Sequence, residues 1–141
     1  MIAFLCFFFQ LVDSMGFFPT SLSSAVDTLR ASKCTFPITR QAKLIPKSVT
    51  DPKEREELFE LLHRKAPYPY RALTSIRAFE EMDRPPPIEE FYSDLTQEEC
   101  SQEKYQLCLE IYDKFKLENF AGYNRLYQTL DSFLLLDLIH R

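Results

Sequence analysis

Residues 123–141 read YNRLYQTLDSFLLLDLIHR. A break around KLENFAG (116–122) leads into this run, and the pattern predicts a helix over 121–139. Asp131 sits four residues after Tyr127, surrounded by Leu130, Phe133, Leu134, Leu135, Leu136, Leu138 and Ile139. A carboxylate among so many apolar side chains either points to solvent or is held by a partner that offsets its charge. On a helix, residues four apart share a face, so the Tyr127 phenol and the Asp131 carboxylate can serve one small site. Asp137 lies six residues further on, about 240° round the helix, and does not join them. A divalent cation removes the cost of burying a carboxylate, and Mg²⁺ or Mn²⁺ prefers such oxygens.

Upstream of this helix, SQEKYQLCLEIYDKF (101–115) places Tyr105, Cys108, Leu109, Tyr112 and Phe115 on one stripe, read as core packing. LTQEEC offers Thr96 as its N-cap, with Glu99 three residues on as a capping box. PKEREELFELLHRK (52–65) is a further helix, with Pro52 in its first turn and His63, Arg64 and Lys65 at its end, a charge order that suits the macrodipole. TSLSSAVDTLRAS (20–32) is a short helix capped by Thr20 or Ser21, with Leu22, Val26 and Leu29 along one face. Residues 33–52 read as irregular, punctuated by Pro37, Pro46 and Pro52. Residues 66–95 read as extended, proline-rich chain laid over a surface, in which RPPP (84–87) reads as a connector, with a polyproline II ligand for a small adaptor domain as the alternative. MIAFLCFFFQLV at the N-terminus reads as a strand over residues 2–12, buried on both faces, with a short signal sequence as the alternative.

Thirteen phenylalanines and seven tyrosines, with only two glycines in 141 residues, give a globular rather than a disordered profile. The formal charge of −4 argues against a free-standing nucleic-acid binder, though not against an acidic site that meets nucleic acid through metal ions. Cys6, Cys34, Cys100 and Cys108 form no CxxC, and neither His63 nor His140 lies at zinc-ligand spacing from them, so the thiols read as free. No segment reads as a membrane span.

Four blocks of this chain resemble the protein-primed branch of the family B DNA polymerases, found in large self-synthesising DNA transposons, linear plasmids and some viruses. GYNRLYQTLDSFLLLDLI (122–139) is similar to the third exonuclease motif, Tyr-x-x-x-Asp on a helix, with Gly122, Tyr123, Leu126, Tyr127, Asp131, Leu134, Leu135 and Asp137 in matching places. LVDSMGFFPTSLSSAV (11–26), LLHRKAPYPY (61–70) and PPPIEEFYSDLTQEECSQEKYQLCLEIYDKF (85–115) resemble further blocks in the same order. The family's His, Asp and Lys become Asn124, Arg125 and Thr129 here.

This resemblance implies a partial exonuclease domain over residues 1–141, an α+β fragment of a ribonuclease H-like 3′–5′ exonuclease fold. Its N-terminal strand would be followed by mostly helices and proline-rich connectors. By the same resemblance Tyr127 and Asp131 are the catalytic residues, Asp131 being a ligand of Mg²⁺ or Mn²⁺ and Tyr127 orienting the attacking water and the scissile phosphate. The implied partners, through a full-length parent, are DNA, deoxynucleotides and a terminal protein primer, with no membrane. The implied setting is intracellular, in a nucleus or at a viral or transposon replication site. The Asp-x-Glu of the first motif, the Asn and Phe/Tyr-Asp of the second, and the polymerase motifs have no counterpart among these residues. One carboxylate does not hold two metals, so the expectation for the chain by itself is an inactive fragment.

Overall fold

The computed structural model describes residues 21–140 apart from 73 and 95, and every regular element among them is helical. The α+β, ribonuclease H-like expectation is corrected accordingly: the described residues form no sheet, and an isolated bridge between Ser93 and Glu98 stands in place of any strand. The strand expected over 2–12 lies outside the described residues. Elsewhere the apolar residues recur at helical spacing or are interrupted by prolines, and the continuous run Phe133–Leu136 lies inside a periodic segment long enough to be a helix.

The chain divides into two units between Thr35 and Phe36. In the first, helix α1 (Leu22–Ala31) starts where Ser21 accepts a hydrogen bond from the Ser24 amide at 3.2 Å. Val26 and Leu29 are buried on one face of it.

The second unit contains α2 (Pro37–Gln41), α3 (Pro52–Leu62), α4 (Ile76–Glu81), α5 (Gln102–Lys114) and α6 (Phe120–Ile139), with 3₁₀ turns at Tyr70–Ala72 and Ile88–Phe91. Helix α3 has the expected Pro52 in its first turn and is capped by Asp51, which accepts from the Glu54 amide at 3.0 Å. It ends at Leu62, so that Arg64 and Lys65, expected in its last turn, lie beyond it. Leu58, Phe59, Leu61 and Leu62 are buried along it, and it packs against α5. Helix α5 is capped by Ser101, whose hydroxyl accepts from the Lys104 amide, and not by Thr96. The Thr96 amide instead donates to the Ser93 hydroxyl, within the turn closed by the bridge to Glu98.

The proline tract lies along α5. Tyr112 donates its hydroxyl to the Asp83 carbonyl at 2.7 Å and Tyr105 donates to the Pro86 carbonyl at 3.1 Å. Two turns of one helix thus fasten a segment that has few amides of its own to pair, which fits the connector reading. Between that tract and the 3₁₀ turn at Tyr70, α4 was not expected. Its cap is the Ser75 hydroxyl, which accepts from the Ala78 amide.

Helix α6 is the axis of this unit, and both α2 and α4 pack on it. Asn119 caps it through the Gly122 amide, and the Phe120 amide donates to the Met82 carbonyl at the end of α4 at 2.8 Å. Phe79 of α4 meets Phe120 edge to face at 5.1 Å between centroids, and Phe79, Phe120, Tyr123 and Leu134 are fully buried. Such aromatic pairs add to the area they bury. At the other end of α6, Asp137 is buried and accepts the amides of Ile38 at 2.9 Å and Thr39 at 2.8 Å, together with the Thr39 hydroxyl. Phe36, the residue before α2, is left-handed at φ 48° and supplies no side-chain cap. The carboxylate of Asp137 therefore caps α2 from a different helix, satisfying amides that the five-residue helix leaves open.

Candidate functional site

The site is assembled from α6 and the stretch that leaves α3. After His63, whose ring lies against Phe36 at 4.2 Å and Phe59 at 4.3 Å, the chain turns at Lys65, which is left-handed at φ 47°. A side chain in that conformation costs on the order of 1 kcal/mol, which the surrounding packing sustains. Beyond Lys65 the chain is tied to successive turns of α6 by side chains. Tyr123 donates its hydroxyl to the Pro67 carbonyl at 2.8 Å, and Tyr68 donates to the Asn124 carboxamide oxygen at 2.6 Å. The Tyr68 ring packs on Tyr127 at 4.8 Å, and the Lys65 ammonium lies 5.9 Å above the Tyr127 ring and 3.5 Å from each Asp131 oxygen.

Tyr127 and Asp131 thus share one face of α6, at a shallow hollow also walled by Leu62, Leu126 and Leu130. Its free space is about 10 Å³, enough for roughly one water. A larger ligand would rest across this surface rather than enter it. Asp131 is neither sealed in nor fully solvated: its side chain keeps 29% of its exposure and that of Lys65 keeps 21%.

Burial raises the Asp131 pKa above its ordinary value, and the Lys65 ammonium opposes that shift through its charge and hydrogen bond. Burial also raises the Tyr127 pKa strongly, and the negative charge of Asp131 adds to it. The phenol is therefore protonated and able to donate throughout the neutral range. A donor phenol, a carboxylate and an ammonium along one half-buried edge can together meet a polar or anionic group and a water.

Asp137, about one and two-thirds turns beyond Asp131, faces α2 and takes no part in this edge. Lys65 is the residue that sequence reasoning missed. Its charge was legible, but it read as a complement to the α3 dipole, because its contact with Asp131 spans 66 residues.

A divalent cation needs more oxygen donors than this edge supplies. Among the described residues no group of three His, Cys, Asp or Glu side chains could hold a metal, and the carboxylate present is already paired with a lysine. The described residues alone therefore do not fit a Mg²⁺ or Mn²⁺ site. No helix among the described residues is long and apolar enough to cross a membrane. Compared with protein-family models, curated proteins and solved structures, the chain matches none of them.

Proposed function

We propose that this chain is a fragment of a DNA-directed DNA polymerase of the protein-primed family B branch. Its full-length parent replicates DNA and proofreads 3′ ends, and the fragment by itself is expected to be inactive. The observation that supports this reading is the placement of Tyr127 and Asp131 on one half-buried face of α6, at a hollow open to solvent, with the Lys65 ammonium beside them. Those two residues carry the third exonuclease motif in the resemblance, and they need to share an accessible face for it to have meaning. The ammonium adds a cation where a phosphate would approach, on a chain whose Thr129 stands in place of the family's Lys. In the parent, Mg²⁺ or Mn²⁺ would be held by Asp131 together with carboxylates that the described residues do not supply.

A second reading is favoured by the all-helical architecture and by the pairing of Asp131 with Lys65. In it the chain is a catalytically dead, transposon- or virus-derived relic that acts, if at all, as a helical interaction module.

Sequencing the genomic DNA on both sides of this reading frame separates the two. An in-frame Asp-x-Glu motif upstream and polymerase motifs downstream are expected for a living parent. The same motifs broken by stop codons or frameshifts indicate the relic, and their complete absence overturns the polymerase assignment.

A further inference from the structure

We propose that Asn124 is a positioning residue for the Tyr127, Lys65 and Asp131 constellation, acting through Tyr68; the proposal rests on the proofreading reading above. The Asn124 oxygen is the acceptor for the Tyr68 hydroxyl, at 2.6 Å. Tyr68 is 8% exposed as a whole and its hydroxyl bond to Asn124 is part-buried, so losing that acceptor frees the ring from the hydrogen bond of its own that ties it to α6. With the bond in place, the Tyr68 ring is set against Tyr127, tilted by 41° at 4.8 Å.

The consequence reaches Lys65 through the backbone. Lys65 is three residues before Tyr68, on a segment with no regular secondary structure to fix it. Three residues of chain reach at most about 10 Å, so anchoring Tyr68 confines where the lysine can stand. A lysine stem has four flexible carbons, and the ammonium is held at Asp131 by a contact of 3.5 Å, long for a charge-assisted bond. That contact by itself is a weak restraint. The Asn124 tether, together with the Tyr123 hydroxyl on the Pro67 carbonyl, fixes the segment from which the ammonium projects.

The test is nuclear magnetic resonance on the isotopically labelled full chain. A nuclear Overhauser cross-peak between the Lys65 ε-methylene and the Tyr127 ring is expected in the wild type, from the 5.9 Å separation of ammonium and ring centre. Asn124→Ala and Tyr68→Phe each remove the same hydrogen bond while the Tyr123 bond to Pro67 stays, so each is expected to weaken the cross-peak to the same extent, and the double variant to do no more than either. Asn124→Asp presents an oxygen at the same reach and is expected to keep it. Tyr68→Phe retains the ring and loses one oxygen, so it carries the test if the alanine variant does not fold. A cross-peak of undiminished intensity in either folded variant, one weakened in Asn124→Asp, or one missing from the wild type overturns the proposal. These outcomes do not depend on nucleic acid, whereas failure of the proofreading reading appears in the flanking genomic sequence.

Discussion

Asp131 carries its carboxylate at the edge of α6, where burial raises its pKa and Lys65 only partly counters that. The folded chain therefore binds the Asp131 proton more tightly than the unfolded chain. This contribution to stability is fully present below the ordinary carboxylate range and is lost as the pH rises through the raised folded value. Asp131→Asn removes the titration, so its stability relative to wild type is expected to increase from acidic to neutral pH, read from urea midpoints. A variant that is less stable than wild type only at neutral pH would show that the lysine contact outweighs the burial. Lys65→Met removes the countering ammonium and is expected to move the Asp131 carboxyl titration further up, measured by carbon-detected resonance. Tyr127 and Asp131 were legible as a pair because helical spacing alone relates them. Lys65 was not, because nothing local distinguishes a lysine that ends a helix from one that reaches across the fold.

Helix ends show the same division between local and distant causes. Ser21, Asp51 and Asn119 each cap their own helix; Ser21 was legible as a cap, while α3 was read from Pro52 and its charge order and α6 from its apolar spacing. Helix α2 was not, since Pro37 read as a breaker and the cap arrives from Asp137, 98 residues away from Thr39. Asp137→Ala would leave the Ile38 and Thr39 amides and the Thr39 hydroxyl without their acceptor, at a cost of about 2–4 kcal/mol. Urea unfolding measures that loss, and a change smaller than about 0.5 kcal/mol would mean that α2 is not held this way. Lysine also takes an unusual place at these ends: Lys33, Lys43, Lys65 and Lys116 all follow helices with positive φ, in a chain with two glycines. Left-handed backbone is costly for a side chain, while a cation near a helix C-terminus is favourable. Gly122 is the converse, a glycine in the first turn of α6 where an added Cβ would meet Leu117 at ordinary contact distance, 3.5 Å. Lys116→Gly and Gly122→Ala are therefore each expected to stabilise the chain by about 0.5–1 kcal/mol, as midpoint shifts without a change in slope.

At the scale of the whole chain, the α+β expectation came from the resemblance to an exonuclease domain together with the apolar run at residues 2–12, and the described residues are helical instead. Their helices were legible where the apolar period was long, as in α5 and α6, and lost where a short helix is flanked by prolines, as in α4. The site divides in the same way: its helix face was readable and its third member was supplied by tertiary structure. That division bears on activity. Hydrolysis of a phosphodiester by two metal ions requires several carboxylates that clamp both ions about 4 Å apart. The described residues place Asp131 alone at the groove, paired with a lysine, in a chain whose net charge of −4 also repels DNA. The chain alone is therefore expected to release no nucleotide from labelled single-stranded DNA in Mg²⁺ or Mn²⁺ beyond an Asp131→Ala control. The control separates chemistry at this carboxylate from contaminating nuclease, which would cleave equally in both samples. Release that depends on Asp131 would mean that further metal ligands are contained in these 141 residues and converge on α6.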